Sequence, residues 1–433
     1  MDRYPTVADV TESARRLVSR FPGAGRLRRI GTSRAGRPIL MLSVGHGPRH
    51  VLVVAGPHSD EPVGGATALA LAERVARGEG RSPATDPSRV TWNLILCLDP
   101  DGATLSEGIE EATAGPDHAL ERYYRAAFRP VAAEQPEWAP IESRQLPESQ
   151  ALFDVIDELR PFLQCSLHSV DAGGSWVQLT RALPGLAAPF QESAAALGIP
   201  VQHGTYDALY WENPSPGIHV LPPPDATARL AAGSENIGRS TWCAPMRYDG
   251  VTAIVEVPLW ATDLAEDLSP HPEAAGALRD LSALVREGGR QVTAVLDKAR
   301  GFLPPPQESP PRRVLEWMAD DLYDLVADSW EPLARRAATP EGAHLLTTAH
   351  ISALDVVARR QPLRAAGLLL RLLAAADDPA APALHRELDD LFLTWCEDFE
   401  KALRLRWVPV EQQVAHQART VVAAAESALT TVG

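Results

Sequence analysis

His58 and Glu61 stand three residues apart in HVLVVAGPHSDEPVGG, which covers residues 50–65. The apolar, β-branched residues 51–55 read as a buried strand, and an Ala/Leu-rich helical pattern follows from Gly65 to about Val75. A strand that opens directly into a helix is the α/β construction, whose chemistry lies beyond the strand's carboxyl end. At a spacing of three, even one loose helical turn brings an imidazole and a carboxylate toward one point. That pair can ligate zinc, which in catalytic sites takes typically three protein ligands and keeps one position open. The plainer reading makes His58 a local hydrogen-bonding residue and Glu61 an acid favoured by a helix N-terminus.

A third ligand must come from elsewhere in the chain. His168 closes the apolar run Phe162-Leu163-Gln164-Cys165-Ser166-Leu167, which places it at a strand end as His58 is. The water that such a metal activates also needs a base. Glu256 sits inside Val251-Thr252-Ala253-Ile254-Val255-Glu256-Val257. A carboxylate in an apolar strand costs several kcal/mol unless it is paired or functional. It therefore reads either as one half of a buried ion pair or as a general base.

The elements that must position these groups are legible in outline. Residues 9–20 fit an amphipathic helix. Strands are expected at 27–30, 39–44, 51–55, 90–98, 162–167, 175–179 and 251–257, with helices at about 148–160 and 186–197. Two long irregular segments, 99–145 and 200–240, separate them, and loops of that length inside a domain are usually functional. Beyond the proline-rich residues 301–311 the pattern turns helical throughout, at 314–326, 329–338, 344–359, 363–375, 383–404 and 410–429. Two units are expected: a catalytic domain over 1–300 and a helical domain over 301–433. The scattered His344, His350, His385 and His416 show no ligand spacing.

Composition narrows the class. With 433 residues the chain exceeds one ordinary core, and 45% hydrophobic residues can fill a large one. Forty-one Lys and Arg against 56 Asp and Glu leave a net charge of -15, which argues against a nucleic-acid surface. Cys97, Cys165, Cys243 and Cys396 form no C-x-x-C pair, so neither a disulfide framework nor a thiolate metal site is expected. No apolar stretch is long enough for a membrane span or a leader, so a soluble cytoplasmic protein is expected, with no nucleic-acid or membrane partner. The helical domain offers a surface through which copies could associate.

Taken together, the residues resemble the zinc carboxypeptidase family, of the carboxypeptidase A type, over roughly residues 5–265. Gly31-Thr32-Ser33 with Gly36-Arg37-Pro38 is like the family's opening G-x-S-x-x-G-R. His58-Ser59-Asp60-Glu61 matches its first two zinc ligands, and Asp99-Pro100-Asp101-Gly102 its N-P-D-G. Pro147-Glu148 opens a helix as in the family, His168 stands for the third ligand, and Glu256 for the catalytic glutamate. The resemblance implies an α/β/α sandwich on a mixed, mostly eight-stranded sheet, here followed by a separate all-α module. It also implies one Zn²⁺ and hydrolysis of a peptide or small amide next to a free carboxylate.

Two departures stand out. No Asn lies between Gly102 and Pro147 to match the family's carboxylate-binding N-R-N. Arg125 and Arg129 are the arginines suited to grip a carboxylate or support an oxyanion there. The family's mobile tyrosine also has no clear counterpart, Tyr248 lying too near the strand. These gaps keep two alternatives open: a zinc-dependent deacylase or cell-wall peptide amidase, and a non-catalytic scaffold acting through the helical domain.

Overall fold

The structure is a computed structural model describing residues 3–78, 82–112, 120–206, 208, 211–222, 237–342 and 346–431. Ten strands among these residues form one mixed sheet: β1 Gly25–Thr32, β2 Pro38–Val44, β3 Arg49–Val54, β4 Val90–Ile95, β5 Leu163–Gly173, β6 Trp176–Leu179, β7 Glu212–Ser215, β8 Ile218–Val220, β9 Val251–Ala261 and β10 Arg406–Trp407. Their order is β1-β2-β4-β3-β5-β9-β6-β8-β7, with β10 alongside β9. The four central strands β4, β3, β5 and β9 run parallel, and the flanking pairings β1–β2, β2–β4 and β6–β9 are antiparallel. The mixed sheet with helices on its faces is the expected architecture, built on ten strands rather than eight. The additional short strands β7 and β8 lie in the segment expected to be irregular.

After β3 the chain crosses to β4 on one side, and β5 later joins β3 on the other. Such a switch leaves a crevice at the carboxyl end of β3. The residues that fill it are 56–62, including His58 and Glu61.

Alternation along the central strands assigns the faces. Val51, Val53, Leu163, Cys165, Leu167, Val251, Ala253 and Val255 point into one apolar core. Helices Val7–Arg20, Val63–Ala76, Ala187–Leu197 and Val410–Thr431 supply its other side. Gln164, Ser166 and His168, alternating with these along β5, face the opposite way, as do Thr252 and Glu256 on β9. That second face carries the smaller core packed under helix Pro147–Leu159.

The helices after residue 300 follow the sheet in sequence and fold back onto it. Their apolar residues share a core with Ala172, Val257, Leu259 and Trp260 at the sheet's end. The two expected helices at 344–359 and 363–375 form one helix, Thr348–Ala375, with Pro362 inside it. A proline normally breaks a helix because it removes a hydrogen bond and crowds the preceding turn. Here its ring packs against Gly288 of helix Ala274–Ala299, an element the periodicity did not reveal. A Cβ at Gly288 would lie 2.7 Å from the Pro362 Cβ, and one at Gly289 would lie 2.5 Å from the Tyr323 ring. The Gly-Gly pair thus serves close helix packing rather than a turn. No helix among the described residues is long and apolar enough to cross a membrane, and the four cysteines are free.

Candidate metal centre

His58, Glu61 and His168 meet in the crevice. Their ligand atoms all lie within 4.8 Å of one another, and the two imidazole rings are 4.7 Å apart, edge to face. His58 Nδ1 lies 2.9 Å from Glu61 Oε1, and His168 Nδ1 lies 3.0 Å from Glu61 Oε2. One carboxylate therefore faces two Nδ1 atoms, one on each oxygen. His168 lies within β5 rather than at its end. The strand continues to Gly173 because β9 runs beside it as far as Ala261.

Glu61 is held from two further directions. The Ser169 backbone N–H donates to its Oε2 at 3.1 Å, and Arg129 Nη2 pairs with its Oε1. Arg129 also donates from Nε to Asp60 Oδ1 at 2.8 Å. Arg125 points elsewhere: it pairs with Asp389 at 2.5 Å and lies over the Phe392 ring, both on helix Ala381–Leu403. The structure thus brings Arg129 to the cluster and directs Arg125 to the helical module. Tyr248 donates to Asp157 at 3.1 Å on the exposed side of helix Pro147–Leu159.

Glu256 is buried on β9, directly paired in parallel register with His168. Residues so paired project to the same face, so this carboxylate lies beside the metal cluster's third member. Trp176, opposite Glu256 on its other flank, shares that face.

Glu137 was not foreseen. It lies in the loop after the short 3₁₀ turn Ala132–Glu134 and is buried beneath His168. Its Oε2 lies 3.0 Å from His168 Nε2 and accepts from Trp242 Nε1 at 2.8 Å, while Oε1 accepts from Ser166 Oγ at 2.7 Å. A carboxylate on the outer nitrogen of a ligating histidine fixes its tautomer and raises its basicity. Nothing local in Glu137-Trp138 signals this role. The available cue was the alternation Gln164-Ser166-His168, whose buried polar face requires partners.

The charges reinforce one another. Burial alone would depress the His168 imidazole, yet Glu61 and Glu137 together hold it well above its ordinary value. Burial likewise opposes ionisation of Glu61, but His58, Arg129 and His168 keep it well below the usual carboxylate range. His58 is lowered by burial and by Arg129. The site thus has a preformed anion between two imidazoles, one of them anchored from behind. Two imidazoles and a carboxylate are a three-ligand zinc set, and with Glu137 as outer partner the donors fit one zinc ion.

The motifs around the crevice brace it. Asp101 accepts from Ser33 Oγ at 2.7 Å, Ala35 N at 2.8 Å and Arg37 Nη1 at 2.9 Å. Glu148 accepts from Arg34 N and Nε at 2.9 and 3.2 Å. The β1–β2 turn is thereby tied to helices Pro100–Leu105 and Pro147–Leu159.

Comparison with known proteins agrees with this geometry. Residues 10–176 match the zinc carboxypeptidase family model, a segment that contains His58, Glu61, Glu137 and His168 and stops before Glu256. No curated protein matches the chain. Among solved structures, a metallo-carboxypeptidase from Burkholderia cenocepacia is 16% identical with TM-score 0.35, the match covering 56% of this chain and 58% of that one. Carboxypeptidase A from Helicoverpa armigera is 16% identical with TM-score 0.38, covering 60% and 65%. A metallo-carboxypeptidase from Pseudomonas aeruginosa is 20% identical with TM-score 0.34, covering 57% and 59%. The match thus spans little more than half the length of the first of these structures, and likeness of that degree carries no functional weight. The family match covers residues 10–176, less than half of the chain, and the His-Glu-His cluster lies within that segment, which is thus similar to a zinc carboxypeptidase.

Proposed function

We propose that the chain is a zinc-dependent hydrolase of amide bonds, acting on a peptide or small amide next to a free carboxylate. The observation that carries this reading is the meeting of His58, Glu61 and His168, with Glu256 paired beside His168 on the same sheet face. In this reading His58, Glu61 and His168 would hold the ion. Bound zinc supplies Lewis-acid polarisation of a carbonyl and makes a water more acidic. Glu256 accepts the proton from the attacking water and returns it to the departing amine, so one carboxylate serves as base and then acid. Glu137 keeps the His168 proton on Nε2 and the Nδ1 lone pair directed at the ion. Arg129, already at the cluster, is the guanidinium placed to meet an anionic part of the substrate, whereas Arg125 is engaged by Asp389. Residues 1–300 are proposed as the catalytic unit and 301–433 as a helical unit packed on it.

A second reading keeps the metal and changes the substrate to a modified amide, as in a deacylase or a cell-wall peptide amidase. It is favoured by the engagement of Arg129 with Asp60 and Glu61 and of Arg125 with Asp389, the two arginines expected to grip a carboxylate. Zinc analysis of the purified chain, followed by matched peptides with free and amidated C-termini, separates the cases. One zinc per chain with cleavage confined to free carboxylates supports the first reading. Equal cleavage of both peptides supports the second, and absence of zinc after metal-replete preparation overturns both.

A further inference from the structure

The His58–Glu61 segment and β5 lose their shared ladder before the ligands are reached. The β3–β5 pairing ends at Val54 opposite Ser166, so residues 55–62 enter the crevice without sheet pairing to β5. A metal site built on two such segments needs something that fixes their separation.

Arg364, on helix Thr348–Ala375, occupies that position. Its Nη2 lies 3.1 Å from Asp60 Oδ2 and 2.8 and 3.0 Å from the two oxygens of Asp171. Asp60 directly precedes the ligand Glu61, and Asp171 follows the ligand His168 by three residues on β5. One guanidinium thus joins the two ligand-bearing segments. The Asp60 contact is an ion pair without hydrogen-bond alignment, and the Asp171 contact is a direct hydrogen bond. Asp60 passes the constraint on, since its other oxygen accepts from Arg129 Nε and Arg129 in turn pairs with Glu61. Asp171 is completed by Tyr124, whose hydroxyl donates to Oδ2 at 2.8 Å. Both aspartates are buried, so neither can exchange Arg364 for bulk water at low cost.

From the opposite face of the sheet, the C-terminal helix Val410–Thr431 does the same for the other pair of strands. The fully buried Gln417 donates from Nε2 to the carbonyls of His168 at 2.9 Å and Val255 at 3.1 Å, the latter next to Glu256.

We infer that the helices beyond residue 300 are part of the metal-site machinery, with Arg364 as the principal positioning residue and Gln417 as its counterpart behind the sheet. This rests on the metal-site reading above. The helical module then has a defined role: it sets the distance between the loop carrying His58 and Glu61 and the strand carrying His168.

The test uses the full chain and zinc alone, measured by competition with a chromophoric chelator on folded protein. Arg364→Gln, which removes the charge and keeps a polar side chain, is expected to weaken zinc binding by about 10- to 100-fold, as loss of an outer-sphere partner does. Arg364→Lys, which restores the charge, is expected to recover part of that loss. The double variant Asp171→Asn with Arg364→Gln removes one charge of each sign, so folding recovers while the link stays broken and zinc affinity stays low. It carries the test should Arg364→Gln alone not fold. Zinc affinity that returns to the wild-type value along with stability in the double variant assigns Arg364 a merely structural role and overturns the inference. Unchanged affinity in folded Arg364→Gln does the same while leaving the metal site standing. A wild-type chain that takes up no zinc overturns the metal-site reading and this inference with it.

Discussion

Replacing Glu137 by glutamine changes one oxygen to an amide nitrogen, and on this geometry it removes the negative charge behind His168. The carboxylate accepts from Trp242 Nε1 and Ser166 Oγ and faces His168 Nε2 at 3.0 Å. All four groups are acceptor and donors in complementary order, with the His168 proton on Nε2. With its oxygen at the Oε2 position, a glutamine still accepts from Trp242 and His168 and its NH₂ faces the Ser166 hydroxyl, but the negative charge that makes His168 more basic is gone. With its oxygen at the Oε1 position, its NH₂ faces both the Trp242 donor and the imidazole, and it would drive the His168 proton onto Nδ1, the atom directed at Glu61. Outer-sphere substitutions of this kind typically cost about 10- to 100-fold in metal affinity, which is about 1.4 to 2.7 kcal/mol. Glu137→Gln is therefore expected to bind zinc about 10- to 100-fold more weakly than wild type at pH 7.5. Competition with a chelator of known affinity measures this, with circular dichroism showing that the fold persists. A folded Glu137→Gln variant whose zinc affinity stays within twofold of wild type would refute the role assigned to Glu137.

Three further outcomes are expected. Glu256→Gln keeps stoichiometric zinc and loses about 10²- to 10⁴-fold in kcat, the range for removing a positioned acid–base group; near-full turnover rules out Glu256 as the base. Asp99 is fully buried and its pKa is pushed up to about 6, chiefly by desolvation. The folded state therefore holds its proton more tightly than the unfolded chain, and the stability this gives below pH 4 is lost as the pH rises toward 6. Asp99→Asn removes that loss: denaturation midpoints should match wild type at pH 4 and exceed it above pH 6, by about 3 kcal/mol at most, and a difference independent of pH contradicts the assignment. Gly288→Ala sets a methyl against Pro362 and should lower stability by about 1 to 3 kcal/mol without changing zinc affinity, as thermal melts and chelator competition will show.

Much of the candidate site was legible because its residue types are chemically unusual where they occur. His58 and Glu61 follow a buried strand at ligand spacing, and Glu256 interrupts an apolar one, so each violates the local pattern around it. Their elements were legible for the same reason, since periodicity two and abrupt Gly-Pro turns separate strands from helices. The helix through Pro362 reads as two in the sequence because a proline ordinarily ends a helix, and the glycine its ring packs against lies on another helix, 74 positions earlier in the chain.

By itself the sequence determined the three residues able to ligate a metal, the carboxylate set inside an apolar strand and the mixed α/β sheet, since these depend on residue type and short-range spacing. Only the tertiary structure decided that Glu137 backs His168, that Arg129 and not Arg125 reaches the cluster, and that Arg364 links the two ligand segments. Each of these contacts joins side chains more than 30 positions apart. Long polar side chains have many reachable partners, and the packing of the sheet against the later helices selects one of them.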